Sequence, residues 1–276
     1  MKLDLIELLK TIIIGIIEGV TEWLPVSSTG HMLLFDAFVP LNMTEEFKEM
    51  FFVVIQLGAI LAVVAMFWSR MFPFSMSNKR IFVDRNTALM WLRVAVACLP
   101  SAVLGFFLDD WLEAKFGSPL TVAAMLIIYG VAFIVIERRN KENPPKIFTL
   151  GGIDTKTALL IGLFQVLSMI PGTSRSGATI IGALLLGVSR TAAAEFTFFL
   201  AVPTMLGASA LKILKFGFAF SRAEILTLII GMAVAFAVSM LSIKFLMDYV
   251  RRRDFTAFGI YRIILGLLVI AVFYYV

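Results

Sequence analysis

The sequence predicts an all-α, polytopic membrane protein: one membrane domain with six transmembrane spans and two re-entrant broken hairpins, arranged as an inverted-topology repeat. Three observations carry this. Of 276 residues, 60% are hydrophobic and 16% charged, where a soluble domain carries about 25% charged residues. Apolar stretches approaching the ~20 residues needed to cross a bilayer recur along the chain. Two further apolar stretches are interrupted in the same way.

The continuous spans read at about 51–68, 87–107, 118–136, 192–211, 225–247 and 256–276. The first interrupted stretch, 4–38, is broken by Pro25 and the polar run Val26-Ser27-Ser28-Thr29-Gly30. The second, 157–187, is broken between Pro171 and Gly177. About 15 residues of helix reach only ~22 Å, so neither half of a broken stretch crosses alone. Gly15, Glu18, Pro25, Ser28 and Gly30 line up with Gly162, Gln165, Pro171, Ser174 and Gly177, and Phe51-Phe52 with Phe198-Phe199. The interval is 147 residues at the glycines, at Glu18/Gln165 and at the phenylalanines, but 146 at the prolines. This divides the domain into a repeat over about 1–137 and a second over about 150–276. The opening MKLDLIELLK mixes Lys2 with Asp4 and Glu7, and no small-residue cleavage site follows, so it reads as part of the mature chain.

Loop charge orients the spans. Arg70, Lys79, Arg80 and Arg85 in 69–86, Arg138, Arg139, Lys141, Lys146 and Lys156 in 137–156, and Arg251 to Arg253 in 248–255 mark cytoplasmic loops. The segment 108–117 carries Asp109, Asp110 and Glu113 against Lys115, and falls outside. The first hairpin then opens outward and the second inward, with both termini outside. In this scheme Lys212, Lys215 and Arg222 of 212–224 lie outside, against the charge rule. Hairpins entering from opposite faces bring their tips together at the midplane, where irregular backbone needs protein or a wet cavity around it. The net charge of +5 reflects these loops rather than a nucleic-acid partner. Cys98, the single cysteine, excludes an intrachain disulfide and a cysteine-rich metal site.

The breaks carry the chemistry. Glu18 and Glu22 stand one helical turn apart on one face. An acid at bilayer depth costs about 2.5–3.5 kcal/mol, so a divalent cation or bound protons must offset the pair. Ser27 or Ser28 can cap a new half-helix, whose free N–H groups and positive end make an anion site. A hydroxyl there becomes a nucleophile beside a base, and His31, the only histidine, can move protons near neutrality. Thr173, Ser174, Arg175 and Ser176 supply hydroxyls and a guanidinium that fits two phosphate oxygens. Acids, hydroxyls, an arginine and a histidine together describe a phosphoryl-transfer site.

EGVTEWLPVSSTGH (Glu18–His31) and PGTSRSGATI (Pro171–Ile180) resemble the two hallmark motifs of the bacterial undecaprenyl-diphosphatase, or bacitracin-resistance, family. The likeness extends to FFVVIQLGAILAVV (Phe51–Val64) and GVSRTAAAEFTFFLAVPTMLGA (Gly187–Ala208). It implies hydrolysis of undecaprenyl diphosphate to undecaprenyl phosphate, the recycled carrier for peptidoglycan synthesis, and hence bacitracin resistance. It also implies a divalent cation, Mg2+ or Ca2+, on Glu18 and Glu22. Ser28 would be nucleophile or phosphate ligand and His31 the acid/base. Ser174 and Arg175 would hold the diphosphate, with Ser27, Thr29, Thr173, Ser176 and Gln56 completing the substrate-binding set. The expected setting is the bacterial plasma membrane, with the active site opening to its outer face. The expected partners are a polyprenyl diphosphate and membrane lipids, no nucleic acid, and a homodimer is admitted. The alternative is a polyprenyl-phosphate flippase using the same midplane anion site without breaking a bond.

Overall fold

Short polar residues ahead of apolar runs start most of the helices in the structure, a computed structural model that describes residues 4–77 and 80–275. Lys2 and Lys79 lie outside the described residues. Asp4 caps α1 (Leu5–Thr21) by accepting from the Glu7 N–H at 2.9 Å. α2 (Ser28–Phe38) follows the first break. Thr44 caps α3 (Glu45–Val54), which runs through Ile55 into α4 (Gln56–Met71), so that Glu45–Met71 makes one 27-residue span. A two-stranded antiparallel hairpin, β1 (Phe74–Ser77) with β2 (Arg80–Val83), follows, and with an isolated parallel bridge between Ile147 and Val188 it departs from all-α structure. α5 (Arg85–Phe116) and α6 (Pro119–Glu142) come next, the latter with Ser118 as cap and proline in its first turn.

In the second half, Asp154 caps α7 (Thr155–Val166), which tightens into a 3-10 turn at Leu167–Met169 before the break. α8 (Arg175–Leu185), α9 (Arg190–Phe216), α10 (Arg222–Val250) and α11 (Thr256–Tyr275) complete the chain. Ser221 and Glu224 form a reciprocal capping box at the start of α10. Among the described residues six helices are long and apolar enough to cross a membrane, and they cover the six expected spans. The acidic segment 108–117, read from its charges as a loop, is instead the last turns of α5. Between Leu108 and Phe116 the sequence has no proline or glycine to end the helix. One of the ill-fitting basic residues of 212–224 finds its partner there: Lys215 Nζ lies 2.6 Å from Asp110 Oδ1.

The two halves pack alike. α1 lies along α10 and α7 along α5, while α6 and α11 pair with each other. Gly15 lets α1 approach the Gly231 carbonyl of α10, and Gly162 lets α7 approach the Ala97 backbone of α5. Such close backbone approach is how helices associate where lipid removes the hydrophobic drive. Glu137 of α6, almost fully buried, accepts from Arg190 Nε at 2.9 Å and from the Phe255 N–H at 3.0 Å, tying α6 to the entries of α9 and α11.

The breaks are alike in backbone as well. Ser27 (φ 76°) and Ser174 (φ 69°) are the non-glycine residues with positive φ among those described. Each accepts through its Oγ from the N–H three residues on, Gly30 at 3.4 Å and Gly177 at 3.2 Å. The interval between these caps is 147 residues, as it is between Gly15 and Gly162. The register is therefore unbroken, and the alignment of Ser28 with Ser174 is corrected: Ser27 matches Ser174 and Ser28 matches Arg175. Pro25 and Pro171, 146 apart, are not equivalent.

Where α4 crosses α10, a Cβ at position 58 would fall on the backbone of Met232. Gly58→Ala is expected to cost about 1–3 kcal/mol, read as a lowered melting temperature in detergent. Gly151→Ala, with nothing within 4 Å of its added methyl, should leave it unchanged. Equal melting temperatures for the two would mean that α4 and α10 do not meet in this register.

Candidate active site

Glu22, one residue past the end of α1, is the point on which both breaks converge. Arg175, the first residue of α8, donates from Nη2 to Glu22 Oε1 at 3.0 Å. Ser28, the first residue of α2, donates from Oγ to Glu22 Oε2 at 3.3 Å. Ser176 Oγ donates to the Glu22 carbonyl at 3.1 Å. The carboxylate is thus held between the N-terminal ends of two half-helices whose dipoles both favour negative charge. The side chains of the pair are only 7% (Glu22) and 10% (Arg175) exposed, so neither charge is left to water. Arg175 also donates from Nη1 to the Thr197 carbonyl at 3.0 Å, and its Nε has no partner.

A cavity of about 610 Å³ opens from this pair. Glu22, Ser28, Thr29, Gln56, Ser174 and Arg175 line it, and its other walls come largely from α5 and α9, out to Phe106, Leu211 and Leu214. Pro100 and Pro203 interrupt the hydrogen-bond ladders of those two helices at the level of Ser101 and Thr204, which also face the cavity. The remaining expected residues lie behind the wall. Ser27 and Thr173 are fully buried, and Ser176 is spent on the Glu22 carbonyl. Glu18 is buried one turn below Glu22, with its Oε1 unpartnered.

His31 does not join them. Its ring borders a second, smaller pocket of about 340 Å³ beside Phe245, Tyr249, Phe258 and Tyr261. Nδ1 lies 2.7 Å from the Ser27 carbonyl, which can only accept, so Nδ1 donates; Nε2 meets the Tyr261 hydroxyl at 2.7 Å. The expectation of an acid/base beside the carboxylates is corrected on this geometry. His31 is held away by its partners: its ring turns back on the Ser27 carbonyl four residues earlier and stacks on Tyr261 of α11, 5.6 Å between ring centres.

The structure adds residues that the motifs did not single out as site residues. Gln165, the counterpart of Glu18, is buried at the cavity wall and donates to Ser101 Oγ at 2.7 Å and Thr204 Oγ1 at 3.3 Å. Arg262 is fully buried behind both breaks. Its signal was present in the sequence as the one charged residue in an otherwise apolar final span.

Comparison with known proteins bears on what such a cavity does. The family model described as bacitracin resistance protein BacA matches residues 11–268. A curated relative from Enterococcus faecalis, named undecaprenyl-diphosphatase, is 66% identical over 273 residues, covering 99% of each chain. Relatives of the same name from Acetivibrio thermocellus, 56% identical over 98% of each chain, and Desulfitobacterium hafniense, 57% identical over 98% of this chain and 97% of that one, are similar throughout.

The Glu22–Arg175 pair can be tested without reference to activity. Arg175→Met leaves a buried carboxylate unpaired and should cost about 3–5 kcal/mol, seen as a lower denaturation midpoint in detergent. The double variant Glu22→Gln/Arg175→Met should recover much of that loss. Additive losses would show that the two side chains do not meet.

Proposed function

The chain belongs to the bacitracin resistance protein BacA family, and from that premise we propose that its cavity hydrolyses undecaprenyl diphosphate to undecaprenyl phosphate and phosphate. One observation carries the reading at the level of atoms: a guanidinium and two half-helix N-termini converge at the end of an apolar-walled cavity. A diphosphate needs the first and a polyprenyl tail needs the second. The curated relatives carry the hydrolase name. No observation favours the flippase alternative, and the relatives' shared name favours hydrolysis.

In this reading the terminal phosphate takes up the guanidinium of Arg175, which lines the cavity, and the N–H groups at the starts of α2 and α8. The Glu22 carboxylate, which accepts from Ser28 Oγ at 3.3 Å, is the base within reach of an attacking group. It orients the Ser28 hydroxyl, or a water in its place, and takes its proton as the bond to phosphorus forms and the bridging P–O bond breaks. His31 acts through Ser27: by holding that carbonyl it fixes the turn from which Ser28 projects.

A divalent cation fits the donor set. Glu18 offers an unpartnered buried carboxylate oxygen next to Glu22, and hard divalent cations take oxygen ligands. Among the described residues no group of three or more His, Cys, Asp or Glu is placed to hold a metal. Glu18 and Glu22 would therefore hold the ion together with water or phosphate oxygens. Bound there, it would supply charge neutralisation to the phosphates.

The setting we propose is the bacterial plasma membrane, with re-entrant breaks and a cavity that opens outward. The support is the cavity's direction, toward the ends of α5 and α9 where Asp110 and Lys215 pair. The arginine-rich turn Arg251 to Arg253 lies between the other ends of α10 and α11, on the side the loop charges place in the cytoplasm.

Three measurements test this. Purified protein should release phosphate from undecaprenyl diphosphate and lose that activity on chelation. Arg175→Lys should lose most turnover, about 100-fold or more, because a point charge does not replace the planar fork; unimpaired turnover would remove the clamp. For sidedness, Cys98, the single cysteine, lines the cavity. A small membrane-impermeant thiol reagent should modify it from the outer face of oriented vesicles, more slowly when inorganic diphosphate is present. Labelling from the inner face alone would reverse the orientation.

A further inference from the structure

We infer that Arg262 is a positioning residue for this reaction: it locks the two strained turns together from behind, and so sets where Ser28 and Arg175 stand. The inference rests on the hydrolytic reading above. Arg262 comes from α11, outside both breaks, yet it reaches each of them. Its Nη2 donates to the carbonyls of Gly172 and Thr173, both at 2.9 Å, and its Nη1 donates to the carbonyl of Pro25 at 3.3 Å. The side chain is 0% exposed and does not line the cavity. Among the described residues no carboxylate forms an ion pair with it. Its charge is answered by these three carbonyl dipoles and by the face of Tyr129, whose ring centre lies 5.6 Å from the guanidinium carbon.

This differs from an ordinary buried ion pair. A carboxylate on a flexible side chain could follow the arginine; backbone carbonyls satisfy it only while both turns keep their places. The constraint also reaches the dihedral that matters. In a planar trans peptide the C=O and N–H point opposite ways. Holding the Thr173 carbonyl fixes the peptide plane on the N-terminal side of Ser174, the plane from which its unfavourable φ of 69° is measured. The Pro25 carbonyl, the counterpart of the Gly172 carbonyl, lies one peptide further back, so holding it restrains the turn that leads into Ser27 without fixing the plane from which the φ of Ser27 is measured. The next residues, Arg175 and Ser28, are the ones that grip Glu22. A single planar fork thereby couples two segments from opposite halves of the chain, and a lysine ammonium at the same place would keep the charge and lose the fork.

The test compares the wild type with Arg262→Lys, Gly177→Ala and the double variant, assaying phosphate release from undecaprenyl diphosphate on the monodisperse fraction of each. A Cβ at Gly177 would meet Arg262 Nη1 at 3.2 Å, while alanine is otherwise favoured inside a helix, so this substitution presses on the guanidinium without removing it. Arg262→Lys should lower kcat by about 10- to 100-fold, as small misplacements of reacting groups do, with KM within about threefold because the apolar walls from α5 and α9 that would hold the polyprenyl tail are unchanged. Gly177→Ala should lower kcat about three- to tenfold. The double variant should lose less than the product of the two, because lysine no longer presents Nη1 to the new methyl group. A well-folded Arg262→Lys with wild-type kcat, losses that fall on KM, or multiplicative losses would each overturn the inference. Should Arg262→Lys fail to fold, a normal kcat in Gly177→Ala would show that Arg262 serves only the fold, and a slowed one would uphold its positioning role. An inactive wild type would instead count against the hydrolytic reading itself.

Discussion

The hold that Arg175 and Ser28 keep on Glu22 is the interaction from which the rest of the structure follows. A buried carboxylate is costly alone, and so is a buried guanidinium. Together, at 3.0 Å, each offsets part of the other's penalty, but only if two segments separated by about half the chain meet face to face. Continuous helices could not present their N-terminal ends at the middle of the molecule. The breaks at 26–30 and 171–177 exist because the pair needs them, and each break leaves backbone groups that only protein or a polar cavity can satisfy.

The geometry of the breaks shows how that demand is met. Positive φ at Ser27 and Ser174 is strained for a residue with a Cβ. Glycine would adopt the turn without strain, but it has no Oγ to cap the half-helix that follows. The serine side chain offsets the strain by accepting from Gly30 or Gly177. Around these turns, α1 on α10 and α7 on α5 provide rigid walls through close glycine contacts. Strain held by a rigid surround is a form of preorganisation: the donors for an anion stand in place before the anion arrives.

Much of this was legible in the chain. Six apolar spans, two interruptions and an interval of 147 residues can be read by eye, and the polar residues of the interruptions are the ones found at the cavity or directly behind it. What escaped the reading was direction. Prolines 25 and 171 are the conspicuous residues of the two breaks, yet they stand 146 apart and only the serine caps, 147 apart, are equivalent. His31 ends the first motif in sequence, but its ring is tied to the Ser27 carbonyl and to Tyr261, away from the cavity. Charges at 108–117 suggested a loop, whereas a helix end exposed beyond the apolar layer accommodates acids as readily. Arg262 went unnoticed as a site residue for the opposite reason: it is far from both motifs in sequence, and only the packing of α11 on α6 brings it behind them.

The corrected register also explains why the two halves cannot be identical where they meet. With Ser27 matched to Ser174, Glu18 corresponds to Gln165, Glu22 to Met169, and Ser28 to Arg175. Had both copies kept the acids, four carboxylates would crowd one buried region with a single arginine or none. Had both kept the arginine, two guanidinium groups would compete for whatever acid remained. Like charges in a low-dielectric interior repel strongly, so converging tips are stable only when one half supplies the acid and the other the cation. The backbone of the repeat, with its caps, strained serines and glycine contacts, carries the symmetry; the side chains at the junction must break it. That division of labour makes the junction a site, since a base with a hydroxyl on one side and an anion clamp on the other is what breaking a phosphoanhydride bond requires.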